Sequence, residues 1–263
     1  MNDLEATSLS VDPSAAIELQ RRCLAAFVRM MGRGSEGAAL FERDGVLGAI
    51  VPACPDRSVI NSVTYRDAGS LEAVLEELAA AHEEAGVHAW TVWVPEDDRD
   101  AAALLKAAGH ELDATPVAML HDLTGLPDPD AQGLDWDARA APADVARIND
   151  LAYGFEKPYF GAAMTSLPAD LSLRLYEARV DGKPVSVLGT IDDGDDCGIY
   201  MVATLKAHRG KGLSGRLLHV ALAEARQRGR HTSSLQATKL GYPVYERLGY
   251  ETICTLQMWE RRK

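Results

Sequence analysis

Apolar and polar positions follow two rhythms along this chain, and the rhythms succeed one another in a fixed order. In LEAVLEELAAAHEEAG, Leu71, Val74, Leu75 and Leu78 recur at the three- and four-residue spacing of a helix with one buried face, and Gly86 ends it. LSGRLLHVALAEARQRG repeats the pattern and ends at Gly229. Each helix leads into a short apolar run, HAWTVWV or HTSSLQA, with the length and composition of a strand. Upstream, FERDGVLGAIV and LYEARVDGKPVSVLGT both read as strand, tight turn and strand. Asp44-Gly45 and Asp181-Gly182 stand at the turns, where residues that tolerate positive φ are needed.

The same blocks therefore occur twice. The hairpins are offset by 137 residues and the helix ends by 143; LLKAAGHELDATPVAM matches VYERLGYETICTLQMW at 140, with Gly109 over Gly249 and Glu111 over Glu251. Three matched blocks in one order point to an internal duplication. Each half is expected to run helix, hairpin, strand, helix, strand, short helix, strand. That is an α/β (α+β) fold with a mixed, mostly antiparallel sheet flanked by helices. In the second half the expected elements are a strand over 134–139, a helix over 142–153, the hairpin, and a strand over 198–204. A helix from Gly212, a strand over 232–237, a helix over 241–248 and a strand from Glu251 follow. The division falls at 13–126 and 127–263, behind a flexible N-terminus over 1–12. LTGLPDPDAQG is an exposed linker between the halves.

Length and composition agree with two domains, since 263 residues suffice for two buried cores and 47% hydrophobic with 25% charged residues is ordinary for a folded protein. No signal peptide and no apolar run of the ~18 residues a membrane span needs is present, so a cytoplasmic protein without a membrane partner is expected. Cys23, Cys54, Cys197 and Cys254 form no CxxC pair, and the spacings of His82, His88, His110 and His121 match no ligand pattern; reduced thiols and no metal are expected. The net charge of −12 argues against nucleic acid, which requires a basic face. That charge sits entirely in the first half. Residues 1–126 carry 9 Lys+Arg against 21 Asp+Glu, whereas residues 127–263 carry 18 of each. Trp90 and Trp93 are expected on one side of a strand, in the core or between the halves.

The segment with the most chemical content is GIYMVATLKAHRGKGLSGRLL. A strand runs into Arg209-Gly210-Lys211-Gly212-Leu213-Ser214-Gly215, which opens directly onto a helix. Glycines let backbone N–H groups converge, and the unpaired N–H groups of a helix's first turn attract an anion. Arg209, Lys211 and Arg216 add charge at the loop, and Arg226, Arg228 and Arg230 extend the basic character along the helix. The loop lacks the Lys-Ser/Thr ending of a P-loop and lies too far down the chain for a Rossmann first turn.

This loop resembles the pyrophosphate motif of the GCN5-related N-acetyltransferases (GNAT): Arg or Gln, two residues, Gly, one residue, then Gly or Ala. Arg209, Gly212 and Ser214 occupy those places, Ser214 departing from the pattern but being small and followed by Gly215. LQATKLGYPVYERLGYE resembles the family's second block, so that the likeness covers roughly the last 130 residues. The resemblance implies tandem acyl-CoA N-acyltransferase folds, with acetyl-CoA as co-substrate. Met201, Val202, Ala203 and Thr204 would offer backbone groups to its pantetheine arm and acetyl carbonyl, and residues 209–215 would cradle its pyrophosphate. It also puts Tyr245 forward as the general acid for the departing thiolate, with packing as the alternative role. The acceptor would be a primary amine of a small molecule or peptide, attacking directly in a ternary complex, and the protein a monomer or a homodimer. Glu156, Glu177 and Asp196 are candidate bases that read as solvated surface charges, and none is assigned. The aromatic run Tyr153, Phe155, Tyr159, Phe160 falls in the family's acceptor region, where an acceptor wall and core packing are equal readings. The first half reads as a degenerate copy. Arg66 and Gly69 remain, but Asp67, Glu72, Glu76 and Glu77 surround the helix start, and Leu105 stands where Tyr245 would. A non-catalytic acetyl-CoA sensor or scaffold is the alternative to an enzyme.

Overall fold

A computed structural model describes residues 12–263, so the flexible segment expected at the N-terminus lies, apart from Asp12, outside the described residues. The first half builds helix α1 (Pro13–Met31), hairpin β1 (Ala39–Arg43) and β2 (Val46–Ile50), strand β3 (Ser62–Tyr65) and helix α2 (Ala68–Glu84). Strand β4 (Ala89–Pro95), helix α3 (Arg99–Ala107) and strands β5 (Glu111–Ala114) and β6 (Val117–Asp122) complete it. The second half begins with strand β7 (Asp135–Asp137), helices α4 (Pro142–Tyr153) and α5 (Tyr159–Ala163), and hairpin β8 (Leu173–Val180) and β9 (Lys183–Asp193). It continues through strand β10 (Asp196–Thr204), helix α6 (Leu213–Gln227), strand β11 (Thr232–Ala237), helix α7 (Tyr242–Arg247) and strand β12 (Glu251–Arg262). Gly86, Gly109, Gly229 and Gly249, the glycines that end the four matched helices, all take positive φ, which is why glycine stands at each.

The strands join into one sheet in the order β1-β2-β3-β4-β12-β6-β11-β10-β9-β8-β7, with β5 also paired to β12. Its centre is a reciprocal exchange. Strand β6, from the first half, pairs antiparallel along its whole length with β11 of the second, from Val117 opposite Ala237 to Asp122 opposite Thr232. Strand β12, from the second half, pairs over Leu256–Arg262 with β4 of the first. The two exchanged strands also pair with each other, Glu251 opposite Leu120 and Thr255 opposite Val117.

Apolar side chains sort to the two faces of this sheet by the two-residue strand period. One layer gathers α1, α4 and α5 over Leu175, Val187, Ile191 and Tyr200. The opposite layer packs α6 against Tyr176, Leu188, Ile199 and Leu235. Helices α2 and α3 cover the first half's strands around Val63, Trp90 and Val92. Trp90 and Trp93 do not share a side: Trp93 packs with Leu24, Ala118 and Met258. Residues three apart on a strand point to opposite faces, and that parity overrides the expectation of a common one. Trp90 is held between two histidines, His82 stacked on it and His110 meeting it edge-on, each with ring centroids 4.7 Å away. Burial pushes both imidazoles down, His110 to about 4, so the pair packs as neutral rings at pH 7.

The linker is less free than its composition suggests. Leu123 and Leu126 are buried, and α6 holds the segment by its backbone carbonyls. Arg216 donates to Asp130 O at 3.2 Å and Gln132 O at 2.5 Å, His219 meets Pro127 O at 2.9 Å, and Arg226 binds Leu126 O and the Asp128 carboxylate.

Candidate functional site

Strand β10 leaves the regular ladder where its sequence reads Tyr-Met-Val-Ala. Its pairing with β9 slips between Tyr200 and Ala203, and Met201 sits at φ +53°, a conformation L residues with bulky side chains rarely adopt. The alternation breaks with it, since Tyr200 and Met201, consecutive in sequence, both enter the α1/α4 layer. On its other edge β10 runs parallel to β11 for three residue pairs only, Asp196 to Gly198 against Thr232 to Ser234. Beyond them the two strands part, leaving the backbone of Met201, Val202, Ala203 and Thr204 at the opening.

A 3-10 turn (Lys206–His208) carries the chain from β10 into the glycine loop. Gly210 and Gly212 take φ +75° and +73°, and a Cβ at either would meet nothing within 4 Å. Their requirement is therefore conformational rather than one of space. Gly212 is the N-cap of α6, and no side chain caps that helix, so the first-turn N–H groups over Leu213, Ser214 and Gly215 open outward without a protein acceptor from a cap. Lys211 and Gly212 are exposed. Arg209 fixes the loop, donating from Nε to Thr204 O at 3.0 Å and from its terminal nitrogen to Ala152 O at 2.5 Å. It thereby ties the end of β10 to the C-terminus of α4.

The basic residues further along play a different part from the one expected. Arg216 and Arg226 grip the linker, Arg228 forms a two-pronged pair with Asp192, and Arg230 donates to Gly194 O. Among the charges assigned to the loop, Arg209 and Lys211 are the ones positioned at it.

The equivalent turn in the first half is closed by its own carboxylate. Asp67 caps α2, accepting from Ser70 N at 2.8 Å and pairing with Arg66, and the Ser70 N–H first, then Arg66, hold its carboxyl down at about 2. Arg66 is itself shared with Asp44. Strand β3 pairs regularly with β2. Leu105 lies fully buried among α2 and α3 residues.

Tyr245, on α7, is buried, with its ring edge-on to Tyr250 at 5.8 Å, and burial raises its hydroxyl well above the usual phenol range. It makes no side-chain hydrogen bond among the described residues. α7 stands beside the loop, with Val244 Cγ1 3.8 Å from the place a Cβ on Gly215 would occupy.

The three carboxylates considered as bases separate. Glu156 is exposed on the segment after α4. Asp196 and Glu177 are buried, contrary to the expectation of solvated charges. Asp196 opens β10, where it accepts from Thr232 Oγ1 at 2.8 Å and from Ser234 Oγ, and burial pushes it up to about 6. It stands five strand steps, about 17 Å, from Met201. Glu177, on β8, accepts from Arg179 of the same strand at 2.7 Å. Asp196 joins β10 to β11 through the β11 hydroxyls.

The aromatic run lies where α4 ends. Tyr153 is 50% exposed and stacks on Phe155 at 5.9 Å; Phe155 meets Tyr159 edge-on at 5.7 Å, and Phe160 is on the buried side of α5. The first half reaches this cluster through the β2–β3 loop, with Arg57 over the Phe155 ring at 3.9 Å and Cys54 Sγ donating to Tyr159 O at 3.1 Å. A groove of about 740 Å³ runs along α4 and α5, lined by Ala143, Arg147, Leu151, Phe155 and Met164 among others.

One residue at the opening carries no motif. Asn149, buried on the sheet-facing side of α4, donates from Nδ2 to Met201 O at 2.7 Å. Its sequence signal is a polar residue on the apolar face of a helix, between Val145, Ile148 and Ala152.

Comparison with known proteins places these features. Residues 157–259 match the sequence model of the acetyltransferase (GNAT) domain. Similar solved structures include a GCN5-related N-acetyltransferase from Kribbella flavida, 18% identical, with a TM-score of 0.65 over 92% of this chain and 95% of that one. Another from Sphaerobacter thermophilus is 15% identical, with a TM-score of 0.57 over 96% and 94%. A tandem GNAT protein from the clavulanic acid biosynthesis pathway is 13% identical, with a TM-score of 0.57 over 92% and 95%. No curated protein matches the sequence. The match to the GNAT domain model is confined to the second half, and the chain has a GNAT-like fold, a large mostly antiparallel sheet flanked by helices.

Proposed function

We propose that the second half transfers the acetyl group of acetyl-CoA to the primary amine of a small molecule or peptide, by direct attack in a ternary complex. The observation that supports this most is the sequence of a bulged, splayed strand, a glycine loop and a helix N-terminus without a side-chain cap, set beside a tyrosine whose hydroxyl makes no hydrogen bond among the described residues. The N–H groups over Gly212 to Gly215 suit the pyrophosphate of the co-substrate, with Arg209 shaping the loop and Lys211 adding charge. The backbone of Met201 to Thr204 suits its amide-bearing arm. In the transfer, the amine nitrogen bonds to the thioester carbonyl carbon, the C–S bond breaks with its electron pair passing to sulfur, and the nitrogen loses a proton to solvent. Tyr245 gives its hydroxyl proton to the leaving thiolate and recovers one from solvent before the next turnover; its raised pKa keeps it protonated until charge develops on sulfur.

We read the first half as a degenerate copy of the same fold. Its cradle is closed by Asp67 and its acid position is filled by Leu105, while Arg57 and Cys54 bring it against the aromatic wall. Its contribution is to the acceptor side, not to a second cofactor site.

Thiol release from acetyl-CoA on adding a panel of primary amines tests the reading. Amine-dependent release with mass gain of one acetyl group on the acceptor is expected. Binding of acetyl-CoA without release for any amine would contradict it and turn the site into a sensor.

A further inference from the structure

Met201 is strained at φ +53°: a long side chain in the left-handed region persists only where its surroundings fix it. Two neighbours do so. Gly189, on β9, has no Cβ, and one added there would come within 2.8 Å of Met201 Cε, so the glycine makes the room that lets the Met201 side chain turn into the α1/α4 layer. Asn149, from α4, takes the carbonyl that this turn removes from the β9 ladder. The peptide that follows Met201 is trans, so its N–H, that of Val202, points opposite to its C=O. Anchoring Met201 O on α4 therefore aims the Val202 N–H away from α4, toward the opposite face of the sheet, where α6 and the glycine loop lie. The regular β3 strand of the first half has neither the slip nor a positive-φ residue.

We propose that Asn149 is a positioning residue for acyl transfer: by holding the Met201 carbonyl it fixes the Val202 N–H as a donor to the negative charge that develops on the thioester oxygen. This rests on the acetyltransferase reading above. A backbone donor contributes to rate when it is aimed beforehand at the oxygen that becomes charged, and an unanchored peptide at a bulge would sample other orientations. Asn149 acts through the backbone and touches no reactant. Its removal should then lower kcat while leaving acetyl-CoA binding, which depends on the glycine loop, nearly unchanged.

Asn149→Asp separates this role from packing, because it keeps size and shape but exchanges the donating amide for a carboxyl. When ionised, that carboxyl cannot donate to Met201 O; when protonated, it can. Desolvation at this buried place raises the titration of the introduced acid above the usual carboxylate range, into an accessible window. Steady-state rates of the wild type and of Asn149→Asp and Asn149→Leu, measured from pH 5.5 to 8.5 with an acceptor found in the amine panel, read it out. At pH 8.5 both variants are expected to show kcat reduced by up to about 10²- to 10³-fold, the range for losing one oxyanion donor, with the KM for acetyl-CoA within about threefold. As pH falls, the ratio of wild-type to variant kcat should shrink for Asn149→Asp and stay constant for Asn149→Leu. Equal, pH-independent losses in both variants, or a rise in KM without loss of kcat, would overturn the positioning role. Wild-type protein that transfers to no amine would overturn the acetyltransferase reading and this inference with it.

Discussion

Residues 1–126 and 127–263, expressed as separate chains, should each fail to fold, and should recover structure when mixed. Without β12, the first fragment loses the strand that pairs with β4 over seven residues and with β5, together with buried Leu256 and Met258. Each of those side chains contributes ~1.5–3 kcal/mol on burial. Its β4 would also become an open, apolar edge, and β6 would lose both partners. Without β6, the second fragment loses the six-residue ladder along β11, together with Ala118, Met119 and Leu120, all within 1% of full burial. A domain holds only ~5–15 kcal/mol in total, so losses of this size on both sides exhaust it. Far-UV circular dichroism and thermal melts of each fragment and of the equimolar mixture check this. A cooperative melt from either fragment alone, near that of the intact chain, would show that the exchanged strands are dispensable.

Tyr245→Phe should lower kcat by roughly 10- to 10⁴-fold, the range for losing a positioned acid, with acetyl-CoA affinity little changed. The substitution removes one oxygen and keeps the ring that packs edge-on against Tyr250, and no hydrogen bond within the described residues is lost with the hydroxyl. Stability should therefore hold, which isolates the chemistry. Single-turnover thiol release, where the chemical step limits, is the measurement; an unaltered rate would return Tyr245 to packing alone.

Much of this architecture was legible in the chain because it follows from local rules. The hairpins at Asp44-Gly45 and Asp181-Gly182, the helix over 142–153 and the strand over 232–237 depend on turn residues, caps and periodicity that neighbouring residues carry. The exchange of β6 and β12 was not legible, because strand pairing is decided by contacts between residues more than a hundred positions apart, and either strand's pattern would suit either sheet. Burial of Asp196 and Glu177 was missed for a related reason: a carboxylate on a strand looks solvated until the hydroxyls of Thr232 and Ser234, or the guanidinium of Arg179, are seen to meet it. The glycine loop stands out by composition, and Gly210 and Gly212 in it take positive φ. Asn149 has no motif; its partner is a main-chain carbonyl, which leaves no trace in sequence.

If the proposed function holds, this chain has one cofactor site, built by the second half. Calorimetric titration of the intact protein with acetyl-CoA counts the sites. The first half presents a carboxylate at its helix start, Asp67 bonded to Ser70 N, where the second half presents bare N–H groups after Gly212. The expected stoichiometry is one per chain, with binding lost in Gly212→Val, because a β-branched residue resists the left-handed backbone there, and retained in Gly69→Val. A stoichiometry of two, or binding that survives Gly212→Val and disappears with Gly69→Val, would contradict it.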